Sequence, residues 1–225
     1  MDALIGELMA KARKVGASPT LVHARLRHFE QMEPPARWLI IEPDPELRRI
    51  VIAELQEALS LPLSGCAPDG CRATAILDGA MPAVLPSKAA AVRKLLPTGL
   101  DLTVLAVHPV APEMQTYLQR YFPEHASDLV GIASRWAEFQ NVAKVMLIAA
   151  GLSPASLLVR DATRPGWKRG LKECSAVVCD SLTAKELPHG CFPIVFRLFD
   201  EALLATLRDV EARIASADGR PAQGM

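Results

Sequence analysis

No stretch of this 225-residue chain is apolar for long enough to cross a bilayer. Its longest apolar run, Val145 to Leu152, falls far short of the roughly 20 residues a spanning helix needs, and Met1-Asp2 opens no signal peptide. The expected location is the cytoplasm. An excess of charge of either sign is also missing, because 25 Lys and Arg offset 25 Asp and Glu. A formal charge of zero leaves no electrostatic footprint for DNA, RNA or an anionic membrane.

Metal and catalytic signatures are equally scarce. The five cysteines, Cys66, Cys71, Cys174, Cys179 and Cys191, lack the two-residue spacing of zinc knuckles. The histidines, His23, His28, His108, His125 and His189, show no ligand spacing, and only His108 closes a predicted strand. A Gly-rich phosphate loop and a nucleophile elbow are both missing. With neither an activated nucleophile nor an acid and base pair, the chain reads as non-catalytic, without cofactor or metal. Its thiols are expected to be reduced and structural. The alternative is a reactive pair at Cys66 and Cys71, whose loop contains Gly and Pro. Only Arg72 beside them is basic, which gives little reason for a lowered thiol pKa.

What the chain does have is apolar residues, 50% of the total, ample for a core. Leu4, Ile5, Leu8, Met9 and Ala12 have helical spacing, and Gly16 suits a C-cap. Ser18 and Pro19 start a second helix through Leu21, Val22, Leu26 and Phe29, broken at Pro34-Pro35. These two helices bear a weak likeness to a helix-turn-helix, but without a third helix or wing a docking hairpin or linker over residues 1–35 is the better reading.

From Arg37 the pattern changes. Buried strands are predicted at Trp38–Ile41, Leu102–Val107, Leu129–Ala133, Ser156–Arg160 and Ala176–Cys179, with shorter ones at Leu61–Cys66 and Ala73–Leu77. Helices are predicted through Leu47 to Leu59, from Ser87 to Leu96, Pro112 to Phe122, Glu138 to Ala150 and Trp167 to Lys172. Phe192–Phe199 reads as a late strand, at an edge or returning to the first half, and Asp200–Ala215 as a closing helix. Strands alternating with helices imply right-handed crossovers and a mostly parallel sheet with flanking helices, the α/β class. The pattern occurs in two comparable halves, giving an α/β domain over 36–215 with lobes at about 36–110 and 111–200, and a disordered tail at 216–225.

Parallel sheets bind ligands beyond the carboxyl ends of their strands, so the polar residues there are the candidate contacts. Glu42 and Asp44 follow the first strand, and Asp44 also suits the N-cap of the next helix. Ser134 and Arg135 come where a helix N-terminus opens, a place that suits an anion, although Ser134 can equally be a cap and Arg135 solvated. Arg160 and Asp161 close the next strand. Trp167 either lines the pocket, flanking one crevice with Trp136, or covers the sheet. Asp180 can accept from a ligand amine or hydroxyl, or cap the turn into Leu182. Asp78, before Gly79 and Met81-Pro82, resembles the phosphoacceptor of a response-regulator receiver domain, with Glu42 and Asp44 as its acidic partners. His108-Pro109 stands where that family has a small hydroxyl residue, and the plain alternative is that Asp78 begins a turn.

A wider resemblance runs through Leu129-Val-Gly-Ile-Ala-Ser-Arg-Trp136, Phe139, Lys144-Val-Met-Leu-Ile-Ala-Ala-Gly151, Arg160-Asp161, Gly166-Trp167-Lys-Arg-Gly-Leu171 and Asp180-Ser-Leu-Thr183. With Trp38-Leu-Ile-Ile-Glu-Pro-Asp-Pro-Glu-Leu47 and Phe196-Arg-Leu-Phe199, these phrases resemble the effector region of bacterial GntR-type transcription regulators, over roughly Ala36 to Leu207. The resemblance implies a sensor of a small metabolite, anions included, bound between two lobes similar to periplasmic binding proteins. It also implies a homodimer that reaches DNA only through an upstream winged-helix domain absent from these residues, and no membrane partner. A receiver-like domain centred on Asp78 and a small α/β enzyme are the alternatives.

Overall fold

The computed structural model describes residues 2–31, 35–107 and 129–217. The expected helix at Pro112–Phe122, His108, His125, the junction of the halves near 111–128 and the tail beyond residue 217 lie outside them.

Trp38-Leu39-Ile40-Ile41 has no polar alternation, so both faces of the strand need cover, and β1 (Arg37–Ile41) is a central strand. Its parallel neighbours are β2 (Leu63–Cys66) and β3 (Ala80–Val84), with the short β4 (Thr103–Val104) at the edge. The second half repeats this arrangement. There β5 (Val130–Ser134) lies between β6 (Leu157–Asp161) and β7 (Ala176–Asp180), and β8 (Pro193–Phe196) pairs with β7. Two four-stranded parallel sheets thus share one order, with the first strand of each half between the second and the third.

Each sheet is covered on both faces, as the period-two side-chain alternation of strands requires. Trp38 and Ile40 face α3 (Pro45–Gln56) and α7 (Glu201–Ala217), whose Leu47, Val51, Leu55 and Leu207 fill one core. Leu39 and Ile41 face Val92 of α4 (Pro86–Arg93), together with Cys66, Cys71 and Leu77. In the second half Val130, Ile132 and Val178 meet Ala143 and Leu147 of α5 (Ala137–Ala149), whereas Ala133 and Val177 meet Leu171 and Cys174. Gly65 of β2 is required by close approach, since a Cβ there would lie 2.7 Å from the Arg48 side chain and 2.8 Å from that of Ile52.

Asp44 caps α3 as expected, with Oδ1 accepting from the amides of Glu46 and Leu47, and Pro45 occupies the first turn. The N-terminal α1 (Asp2–Lys14) and α2 (Pro19–Gln31) form the expected hairpin, and Leu21 N donates to Ser18 Oγ. Its helix α1 buries no residue, and Leu4, Ile5, Leu8, Leu21 and Leu26 are all exposed. No helix among the described residues is long and apolar enough to cross a membrane.

Four expectations fail. The buried strand predicted at Leu102–Val107 pairs only over Thr103–Val104, at the sheet edge, where Val104 is 40% exposed. The strand predicted at Ala73–Leu77 is instead a 3-10 turn at Thr74–Ile76, preceded by another at Pro68–Arg72, and the chain pairs at Ala80–Val84, after Asp78. Pro82 disguised that strand. Val84 O accepts from Leu105 N, so Pro82, two residues earlier, also faces the β4 side, where β4 does not extend and no ladder bond is lost. The helix predicted at Trp167–Lys172 is a series of turns and a 3-10 segment, with Gly166 and Gly170 at φ 74° and 82°. The late strand Phe192–Phe199 ends at Phe196, and only after it does the chain cross to the first lobe, where Phe199 enters the core.

That return is fastened by one carboxylate. Glu211 of α7 accepts from Trp38 Nε1 (2.8 Å), Ser60 N (2.8 Å) and Leu61 N (3.1 Å). Replacement by alanine strands three donors. We expect Glu211→Ala to cost about 3 kcal/mol or more, read as a lower urea midpoint at unchanged slope. The thiols offer a second check. Burial pushes Cys71 and Cys179 up to about 12 and Cys174 up to about 11, and Cys66 lies buried with its Sγ 3.6 Å from that of Cys71. Neutral, enclosed thiols react slowly, so iodoacetamide at mildly alkaline pH should label only the half-buried Cys191 until the protein is unfolded, as mass mapping would read.

Candidate functional site

Register brings the first two candidates together. Ala133 is the partner of Cys179, so Ser134 and Asp180 end adjacent strands. Ser134 Oγ donates to Asp180 Oδ2 at 2.6 Å and accepts from Trp136 N at 3.0 Å. Asp180 caps α6 (Ser181–Ala184), accepting from Thr183 N at Oδ1 and from Thr183 Oγ1 at Oδ2, each at 2.7 Å. Both residues are buried, with exposures of 0% and 2%.

Arg135 crosses between the lobes. Its Nε donates to Glu46 Oε2 of α3 at 2.7 Å, and an Nη lies 3.6 Å from Glu186 Oε1 of the second lobe. The bond to Glu46 raises its pKa further. The anion seat expected at Ser134 and Arg135 is therefore occupied by the protein's own carboxylates and by the Trp136 amide. Arg135 is not solvated, because an ion pair across the lobes fixes it.

The remaining candidates separate. Arg160 Nε donates to Arg169 O at 3.0 Å, and Asp161 accepts from Thr163 N, Thr163 Oγ1 and Arg164 Nε. These bonds, that from the Thr163 hydroxyl first, hold the Asp161 carboxyl below its usual range. Both side chains shape the loop after β6 and neither lines the inter-lobe cavity. Trp167 packs with Ala133, Leu171 and Val177 on one face of the second sheet, under the Lys168 ammonium. Trp136 packs against the first lobe's core, so the two tryptophans do not flank one crevice. Glu42 is buried; Oε1 accepts from Asp44 N, Oε2 has no hydrogen-bond partner among the described residues, and burial raises its pKa. Asp78 is exposed at the amino end of β3, opposite the edge that holds Glu42 and Asp44, and its carbonyl accepts from Arg37. A receiver-type acidic cluster does not form.

The cavity itself lies between the lobes, at about 240 Å³. Ile50 of α3 and Val107 line it from the first lobe. Trp136, Phe139, Val142, Ala143 and Met146 line it from the start of α5, and Phe196 and Leu198 from the crossing segment. Phe139 and Phe196 meet edge to face, with centroids 5.7 Å apart. Among the described residues of the lining only Asp180 and Arg197 carry charge, and Arg197 donates to Glu57 at 2.9 Å. Of the candidate ligand contacts, Asp180 alone reaches the cavity, beside Trp136 of the expected tryptophan pair. The missed wall had a signal: Phe139, Val142, Ala143 and Met146 stand at helical spacing on a helix whose core residues, Ala143 and Leu147, explain only one side of it.

The lobes are held by one stripe of α3. Beyond Glu46, Glu54 accepts from Ser181 Oγ (2.7 Å) and Leu198 N (2.8 Å), and Glu57 meets Lys185 (2.6 Å) and Arg197 (2.9 Å). Among the described residues no group of three or more Cys, His, Asp and Glu is placed to hold a metal ion.

Burial holds Glu54 above its ordinary 4.5, so folding favours its protonated form. Its contribution is fully present below 4.5 and is lost as pH rises through the raised folded value. Glu57 has the opposite sign, since Lys185 first and then Arg197 hold it low; its contribution exists above 4.5 and fades in acid. We expect Glu54→Gln to lose less stability than the native chain between about pH 5 and about pH 7, measured by urea midpoints. Equal slopes would show that Glu54 titrates alike in the folded and unfolded chains.

No family model matches the chain, and neither the curated proteins nor the solved structures contain a match to it.

Proposed function

We propose that this chain is a non-catalytic sensor module of the cytoplasm that binds one small metabolite between its lobes. The observation that carries the reading is the inter-lobe cavity, walled by carbon from both lobes at the carboxyl ends of their parallel strands. A cavity of about 150 Å³ is enough for benzene, so 240 Å³ accommodates one ring with a short side chain. A ligand there touches α3 and α5 together, and its preference for one lobe arrangement sets how far it shifts that equilibrium.

The resemblance to GntR-type regulators supports placing this sensor in a transcription regulator, with DNA contacted only by a winged-helix domain outside these residues. The exposed Leu4, Ile5 and Leu8 of the hairpin support a homodimer, since a second copy would cover them. A receiver-like role lacks its acidic cluster, and Ser134 lies buried with its hydroxyl committed to Asp180.

Thermal unfolding against amino acids, sugars, nucleotides, carboxylates, amines and neutral aromatics tests the reading. A ligand at 100 times its dissociation constant should raise the midpoint by roughly 5 to 10 °C. Val142→Trp, at a half-exposed position on the cavity wall, should remove that shift while leaving the unliganded midpoint within about 2 °C. The reading fails if no class stabilises the chain, or if the shift survives in Val142→Trp.

A further inference from the structure

The cavity has one chemical asymmetry. Its walls are aromatic and aliphatic, yet Asp180 lies in the lining with 2% exposure. A carboxylate offers about four acceptor positions. Three of them receive Ser134 Oγ, Thr183 N and Thr183 Oγ1, all neutral donors. Among the described residues no cation makes an ion pair with it. Arg135 feels its charge, but is committed to Glu46 and Glu186, so this group holds one positive and three negative side chains. Arg197, the other charged residue of the lining, aims its guanidinium at Glu57 and is 55% exposed, so water screens it from the cavity.

A buried carboxylate is costly without an opposite charge, and the cost is recovered when a cation arrives. Aromatic rings attract the same charge, and Trp136, Phe139 and Phe196 are among the lining residues. An anionic ligand meets the reverse: repulsion from Asp180 and, among the described residues of the lining, no uncommitted cation to replace its hydration.

Resting on the sensor reading, we propose that the inter-lobe cavity selects a small apolar amine, with a protonated amino group paired to Asp180 and a single ring or branched alkyl body against Trp136, Phe139 and Phe196. The free acceptor position of Asp180 takes an N–H of the ammonium, and the body replaces water on the walls contributed by Ile50 and Met146.

Three ligands of one shape decide the matter by calorimetry on the full chain: 2-phenylethylamine, 2-phenylethanol and phenylacetate. The amine should bind about tenfold more tightly than the alcohol, and the acid most weakly. Asp180→Asn should bring amine and alcohol together while both still bind. Should that variant fail to fold, having lost a cap, the ranking on the native chain still decides. Binding of the alcohol or the acid as tight as that of the amine overturns the amine preference and leaves the sensor reading standing. No binding of these three, with stabilisation by another class in the wider panel, does the same. Silence in both series overturns the two together.

Discussion

Everything in this structure depends on a helix that belongs to two lobes at once. With 3.6 residues per turn, α3 sends Leu47, Val51 and Leu55 into the first lobe's core while Glu46, Ile50, Glu54 and Glu57 face the other way. The three glutamates meet Arg135, Ser181 with the Leu198 amide, and Lys185 with Arg197. Ile50 is the apolar break in that polar row, and the cavity opens beside it. The inter-lobe contact is thus polar at its ends and apolar in the middle.

Buried carboxylates recur as fasteners: Glu54 between lobes, Glu211 on the returning helix and Asp180 at the second lobe's strand ends, each satisfied by neutral donors. Such groups fix geometry more than they add stability, because each loses hydration that hydrogen bonds only partly replace. Glu42, with one oxygen unpartnered among the described residues, shows the cost most plainly. The two halves share a strand order but differ at these ends. In the first half the ends hold Glu42 and the enclosed Cys66–Cys71 pair, and in the second the Ser134–Asp180 bond, next to the cavity.

The prolines divide the legible from the hidden. Pro45 after Asp44 announced a helix start correctly, because the pair satisfies orphan amides without any distant partner. Pro82 misled, because whether a strand tolerates proline depends on which neighbour its missing N–H would have met. Trp167 to Lys172 misled likewise: Gly166 and Gly170 adopt left-handed backbone that no helix accepts.

The sequence by itself determined the class, the two repeated halves, the central strands and the caps, since all of these follow from periodicity and from bonds within a few residues. It also placed Asp180 at a strand end. Only the tertiary structure decided that Ser134 and Arg135 spend their bonds internally, that Arg160 and Asp161 turn away, and that a largely apolar cavity stands where a polar crevice was expected. The reason is pairing. A polar residue at a strand end has a bond left for a ligand only where nearer partners do not take all of its capacity, and those partners, Glu46 for Arg135 and Asp180 for Ser134, come from positions far away in sequence.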